Sequence, residues 1–484
     1  MIIKIMQRLH FANPELFNFT FKHDGVPYDR PGYRALLFTL PAVAGLAGAT
    51  LRIPNSFMIA ICGGRNVKFM TTVLLIIPAF LAGIALQNPN TPFWVYIILA
   101  GLSGVGGGAF ASSMSNISFF FPKRMQGLAL GLNAGLGNAG VSVMQFLIPW
   151  AITFGMFGAI GGAPQEFTVA GHGQQIWIQN AAMVWVPIMT VLAILAWLLM
   201  NNLPQHDCGP APAAIGKYLW LQGIGFLGAA VGVWLLVFVP MPVPELVRIF
   251  LVLIAAVIAT LLGMQFMTPK TIQEPLHRQF AIFGNKHNWV MTWLYVMTFG
   301  SFIGYANAFP KLIDDVFVTP TNGLLTSKYI WIGAAVGALI RPVGGWLSDK
   351  WGGARVTQWD TWIMVGSTIL AGYIVSLAGQ SDKPEQYFIP FLITFIVLFA
   401  TIGIGNGSTF RMIPIIFSKE QAGPVLGWTS AIAAYGAYLI PKIFATQIKA
   451  GTPEYALYGF AAYYGTCLWV NWWFYARKGA EIKC

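Results

Sequence analysis

From residue 34 to residue 476 the chain alternates long apolar blocks with short polar breaks. Most blocks are about 20 residues or longer, the length an α-helix needs to cross the hydrocarbon core of a bilayer. The pattern predicts helices over 34–62, 69–88, 93–121, 126–158, 176–200, 216–239, 245–267, 289–310, 328–348, 356–378, 387–417, 421–447 and 455–476, about thirteen spans in all. The breaks contain the Pro, Gly and Asn that stop helices, as in "NPNTP", "GAPQEF" and "PMPVPE". Residues 1–33 carry charges at Lys4, Arg8, Glu15, Lys22, Asp24 and Asp29 and have no clean apolar core, so they read neither as a span nor as a cleavable signal peptide.

Composition settles the class: 56% of the 484 residues are hydrophobic and 9% charged, whereas a soluble domain carries about 25% charged residues. The expected fold is an all-α, multi-pass membrane protein. The net charge of +12 comes from Lys and Arg spread thinly between spans, without the dense patch that a nucleic-acid partner requires. These residues favour alternate short loops, near Arg65, Lys123, Lys217, Lys286, Lys350, Lys419 and Arg477. Such a bias places those loops in the cytoplasm. The four cysteines have no metal-ligand or framework spacing, so no metal and no cofactor is expected. A membrane enzyme would need a nucleophile or metal cluster at membrane depth, such as HExxH, and the spans contain none.

Two arginines break the apolar pattern. Gly48-Ala49-Thr50-Leu51-Arg52 recurs as Gly337-Ala338-Leu339-Ile340-Arg341, and Gly63-Gly64-Arg65 is echoed by Gly352-Gly353-Ala354-Arg355. The segments "GGGAFASSMSNISFFFPK" (106–123) and "GIGNGSTFRMIPIIFSK" (403–419) form a second pair. Duplicated halves with the site at their interface are a common transporter plan. The expected division is 34–200 for the first half, 201–288 for a linker with an extra helical hairpin, and 289–484 for the second half. A guanidinium at a helix centre costs about 2.5–3.5 kcal/mol on insertion scales and cannot shed its charge. Of the 16 acidic residues only Asp360 lies inside a span, near its end, with Glu245 at the first position of another, and the six histidines all fall in loops or termini. Either each arginine snorkels or donates to helix carbonyls, or the pair is neutralised by a small anion held between the halves. Arg411 is a third candidate, read as a snorkelling residue or a gate contact.

Gly127, Gly131 and Gly135 form a ridge at four-residue spacing that permits close helix approach. Asn138 follows on the same side, whereas Asn133 and Asn138, about 140° apart, are not expected to face one pore. "GLGNAG" (135–140) fits a nucleotide-binding pattern, but it lies inside a span with no strand before it.

"GLALGLNAGLGNAGVSVMQ" (127–145), "GIGNGSTFRMIPIIF" (403–417), "GATLRIP" and "GALIRPVGGWLSDKWGGARV" (337–356) resemble the NarK-type nitrate/nitrite porters of the major facilitator superfamily. The resemblance implies two pseudo-symmetric helical halves and a planar anion clamped by Arg52 and Arg341. It further implies hydrogen bonding from Asn138, Tyr295 and Ser430 and an aromatic sandwich from Phe110 and Phe299. Without it, Tyr295 and Phe299, four apart on one face, read equally as ordinary packing. The signature glycines Gly127, Gly131, Gly135, Gly403, Gly405, Gly407 and Gly427 are expected at moving contacts. Residues 1–33 depart from the resemblance, which calls for a first spanning helix bearing one aromatic of the sandwich. The partners implied are nitrate, nitrite and the lipid bilayer, with a monomer in the inner (cytoplasmic) membrane. Voltage favours exchange: moving one negative charge inward costs about 2.3 kcal/mol per 100 mV, whereas swapping nitrate for nitrite moves no net charge. Nitrate/proton symport and a non-transporting nitrate sensor remain as alternatives.

Overall fold

A computed structural model describes residues 39–169, 172–204, 206, 208–319, 324 and 326–484. The expectation for residues 1–33 lies outside the described residues, as does the start of the first expected helix.

The described chain is almost wholly helical. In order come α1 (Thr39–Asn55), α2 (Met58–Cys62), α3 (Gly64–Ala85), α4 (Phe93–Phe120), α5 (Gln126–Ala151) and α6 (Asn180–Leu199). The linker forms α7 (Ala211–Phe238), α8 (Glu245–Phe266) and the short α9 (Lys270–Phe280). Then follow α10 (Lys286–Tyr295), a π-helical turn (Val296–Gly300), α11 (Ser301–Val316), α12 (Ile330–Trp351), α13 (Gly353–Gly379) and α14 (Phe388–Ile416). The chain closes with α15 (Lys419–Ala434), α16 (Gly436–Lys449) and α17 (Glu454–Asn471). Eight helices among the described residues are long and apolar enough to cross a membrane. Other expected spans are helical but interrupted: α1 gives way to α2 just after Pro54, and a π turn separates α10 from α11. A proline removes a backbone donor and bends the helix, and a π turn locally widens it.

Two boundaries differ from the sequence pattern. The helix expected over 126–158 stops at Ala151, and a two-stranded antiparallel hairpin follows, β1 (Gln165–Val169) paired with β2 (His172–Ile176) in the register Gln165 to Ile176. A ten-residue polar hairpin is too short for the alternation to stand out beside spans of twice that length. The helix expected from residue 69 starts at Gly64, so Arg65 and Lys68 sit inside α3 rather than in a loop. Lys68 Nζ donates to the Ala109 carbonyl and to Ser112 Oγ, 3.2 Å away.

The internal repeat is visible in the backbone. Gly63 (φ 82°, ψ 144°) and Gly352 (φ 89°, ψ 136°) adopt nearly the same left-handed turn after the two arginine-bearing helices, a conformation that favours glycine. Each turn leads directly into the next long helix, α3 in one half and α13 in the other. The linker hairpin takes sides. Helix α7 lies along α1, where a methyl at Gly225 would meet Leu51 and Pro54 at 2.8 Å. Asn55 Nδ2 donates to Gln222 Oε1 (2.9 Å), and Thr71 and Tyr218 hydroxyls meet at 2.9 Å. Helix α8 packs on α7 and exposes Phe250, Ile254 and Phe266. Arg248 of α8 donates to the carbonyls of Leu236 and Val239 at the end of α7.

Candidate functional site

Arg52 and Arg341 are both buried, 6% and 0% exposed. Each sits where its helix is interrupted near a proline, Pro54 in α1 and Pro342 in α12. Each also reaches into the opposite half. Arg52 Nη1 donates to the Ser430 carbonyl of α15 at 3.3 Å, and Arg341 Nη1 to the Ala134 carbonyl of α5 at 3.3 Å. The two converge on one ring: Arg52 Cζ is 4.9 Å from the Phe299 centroid and Arg341 Cζ 5.8 Å from it. Guanidinium carries five N–H donors, and Arg52 Nε and Arg341 Nη2 are buried without a partner. Among the described residues neither arginine takes part in a salt bridge. Two like charges about 8–10 Å apart repel by about 2 kcal/mol at an effective dielectric near 20. The arrangement therefore presents unspent donors and uncompensated positive charge around an aromatic face. Its chemical complement is a small, flat anion able to accept from guanidinium forks.

The remaining expected residues gather around this pair in different ways. Phe110 stacks on Phe299, with centroids 5.0 Å apart and planes 9° apart, and Arg52 Cζ is 4.9 Å from the Phe110 centroid too. A planar anion between the rings requires about 7 Å, two van der Waals contacts, so these rings must part to admit one. Tyr295 stacks on Phe299 at 5.5 Å, across the π turn, and its hydroxyl accepts from Asn406 Nδ2 at 3.0 Å. Asn138 Nδ2 donates to the Ala134 carbonyl (2.7 Å), the same oxygen that receives Arg341. Asn133 turns aside to Ser113 and Met114, as their angular separation requires. Ser430 meets Arg52 through its backbone carbonyl, while its hydroxyl donates to Gly427.

The glycine ridge of α5 packs on α12 of the other half. Methyl groups at Gly127, Gly131 and Gly135 would lie 2.6, 2.8 and 2.7 Å from the carbonyl oxygens of Gly345, Arg341 and Ala338. Gly427 sits equally close to Ser56, and Gly403 and Gly407 press on Gly337 and Arg341 from α14. Gly405 abuts Asp360. Each signature glycine thus stands where two backbones, or a backbone and a carboxylate, approach closely.

Arg411 forms an ion pair with Asp349, both nearly buried. Asp349 also accepts from the Gly127 and Leu128 backbone N–H groups at 3.3 and 3.0 Å. One carboxylate thereby caps the N-terminus of α5 from the opposite half, where the helix dipole favours negative charge. Of the two readings of Arg411, the gate contact fits this geometry. Sequence reasoning missed Asp349, Asn406 and Phe302, whose centroid is 4.2 Å from Arg341 Cζ. Asn406 in "GIGNG" mirrors Asn138 in "GLGNAG", a signal that could have found it. Nothing in the pattern marks Phe302.

No protein-family model matches the chain. A probable nitrate/nitrite antiporter, NarK2 of Thermus thermophilus, is 38% identical over 93% of this chain and 85% of its own length. The nitrate/nitrite transporter NarU of Escherichia coli is 35% identical over 92% of this chain and 85% of its own. Among solved structures, the major facilitator proton:xylose symporter XylE superposes with a TM-score of 0.59 at 12% identity, over 97% of this chain and 90% of that one; this likeness concerns the fold. By its identity to these relatives the chain belongs to the NarK/NarU family of nitrate/nitrite transporters, and its fold is that of the major facilitator structure it superposes on.

Proposed function

We propose that this chain exchanges nitrate for nitrite across the inner (cytoplasmic) membrane by alternating access, acting as a monomer whose basic loops face the cytoplasm. The rocking units are 34–200 and 289–484, with 201–288 as a linker whose hairpin travels with the first unit. The observation that carries this reading is the pair of buried guanidiniums from equivalent positions of the two halves, unpaired with any acid among the described residues and converging on Phe299. Arg52 and Arg341 clamp the anion, with Asn138, Tyr295 and the Ser430 turn around it and the Phe110 and Phe299 rings opening to receive it. Without cargo, closing the halves brings the two cations together at a cost of about 2 kcal/mol, so the empty carrier returns slowly and exchange is favoured. Nitrite made inside by nitrate reduction supplies the counter-substrate.

The test is uptake of labelled nitrate into proteoliposomes at equal pH on both sides. Internal nitrite is expected to accelerate uptake strongly. Equal rates with and without it would overturn exchange, and nitrate binding without flux would make the protein a sensor.

A further inference from the structure

The linker hairpin and the second half do not close on each other. Lys442 Nζ of α16 meets Glu245 Oε1 at the start of α8, 3.1 Å away. Beyond that pair lies a cleft of about 790 Å³. One wall is α8 from Phe250 to Leu261, and the other is built by α10, the π turn, α15, α16 and α17. The second wall runs from Trp428 to Gln447, about 28 Å at 1.5 Å per residue. That is close to the thickness of a bilayer's hydrocarbon core, about 30 Å.

What fills such a space follows from its chemistry. The polar groups of the walls are spent on the protein. Trp289 Nε1 donates to the Phe283 carbonyl (3.0 Å), Trp293 Nε1 to Thr466 Oγ1 (3.2 Å), and the Tyr463 hydroxyl to the Trp293 carbonyl (2.7 Å). The Ser301 and Tyr435 hydroxyls pair with those of Tyr464 and Thr50. Among the lining residues the one buried side-chain atom left without a partner is Trp428 Nε1. A buried water needs two to four polar partners, so water is a poor occupant. Emptiness is poor too, because side chains facing a void lose their dispersion contacts on that side. Phe250, Ile254, Ile258, Trp289 and Tyr455 line the cleft and are each about half exposed, so it is continuous with the surface that faces lipid.

The cleft also lies behind the anion site. Val296, Gly300 and Ser301 line it from the π turn and its end, and the Phe299 ring of that turn supports both arginines. Trp428 lines it from α15, two residues before the Ser430 carbonyl that receives Arg52. The π turn meets α16 backbone to backbone, a methyl at Gly436 lying 2.5 Å from the Gly300 carbonyl oxygen. The yielding side of the turn is therefore the cleft.

We infer that this cleft binds the acyl chain of a bilayer phospholipid between the linker hairpin and the second half, and that the chain is the soft wall against which the π turn moves when the Phe110 and Phe299 rings part. Lipid tails are as apolar as the side chains they touch, so no hydrophobic gain draws the chain in. Packing against the aromatic wall retains it. The acyl-chain site stands without the exchange reading, and only its link to transport rests on that reading.

Gly459 of α17 provides the test, since it lines the cleft and a methyl there meets nothing within 4 Å. Gly459→Phe fills the cleft, and Ile258→Trp fills it from the opposite wall. Gly465→Phe puts the same ring on α17 away from the cleft, again where a methyl meets nothing within 4 Å. Each protein is reconstituted with a phosphatidylcholine carrying a diazirine in its acyl chain, washed in lipid-free detergent, illuminated and mapped by mass spectrometry. Nitrate binding and nitrate/nitrite exchange are measured alongside. Wild type is expected to keep adducts on the cleft residues of α8 and α17 after washing, and to lose them from the exposed Leu195 and Leu198 of α6. Both filling variants should lose the cleft adducts and slow exchange severalfold with nitrate affinity unchanged, while Gly465→Phe behaves as wild type. Cleft adducts that wash off like those of α6, or that survive in both filling variants, overturn the acyl-chain site. Their loss in Gly465→Phe also overturns it, by showing that the loss is not local. Exchange at the wild-type rate in the filled variants overturns the link to transport. Absence of exchange in wild type sinks the exchange reading instead, and the adducts still decide the lipid site.

Discussion

Arg52 and Arg341 stand at equivalent places in the two halves, yet they are held differently. Arg341 is fixed on three sides: Nε donates to Gly337 of its own helix at 3.2 Å, Nη1 crosses to Ala134, and Phe302 lies beneath the guanidinium. Its backbone carbonyl is gripped between Gly131 and Gly407. Among the described residues Arg52 has one side-chain hydrogen bond, to Ser430, and rests on the two stacked rings of Phe110 and Phe299. A guanidinium with more anchors loses less freedom when an anion arrives. In the proposed clamp Arg341 would thus be the fixed jaw and Arg52 the adjustable one, free to shift if the rings part.

The largest expected effect breaks both jaws. Lysine keeps the charge but loses the fork, so Arg341→Lys and Arg52→Lys should each weaken nitrate binding by about 3 kcal/mol, the scale of one or two charge-assisted hydrogen bonds, or about 100-fold in a binding titration. Arg341→Lys should cost more, because its anchors also join the halves; equal losses would remove the distinction between jaws. Next come the rings. Phe299→Ala withdraws the surface shared by both arginines and should cost about 1–2 kcal/mol of nitrate affinity, whereas Phe110→Ala, which touches Arg52 alone, should cost about half as much. A larger effect at Phe110 would reverse the assignment.

Moving away from the anion, Asp349→Asn weakens the ion pair to Arg411 and the cap on α5. It should favour opening at that end of the bundle by about 1–2 kcal/mol, read as faster thiol labelling of a cysteine placed beside Gly127. Unchanged labelling would make the contact ornamental. The smallest effect is expected at the exposed pair Lys442 to Glu245, which ties the linker hairpin to the second half at 3.1 Å. Both partners are well exposed, so Glu245→Gln should change thermal stability by no more than about 0.5 kcal/mol.

Much of this site could be read from spacing. The four-residue rhythm of Gly127, Gly131 and Gly135 announced a close helix approach, and the repeated glycine-rich turn announced two halves. The rhythm did not say what approaches: the carbonyls of α12 come from residues more than two hundred positions away. Periodicity along one helix reports which face is special, whereas the partner of that face is set by packing across the bundle. The same limit hid Asp349, whose side chain looks like one more charge at a loop until its oxygens are seen on the first N–H groups of α5. It also hid the depth of Asp360, which the span boundary alone placed near an end.

What the amino-acid order determined by itself was a multi-pass helical membrane protein with a duplicated plan and two stranded arginines, because hydrocarbon tolerates few charges and each one in a span needs compensation. Tertiary structure alone decided how that compensation is arranged: which carbonyls from the opposite half receive each guanidinium, that both lean on Phe299, and that no acid among the described residues neutralises them. Hydrogen bonds and ring contacts depend on ångström distances between segments far apart in the chain, and such distances exist only once the helices have packed.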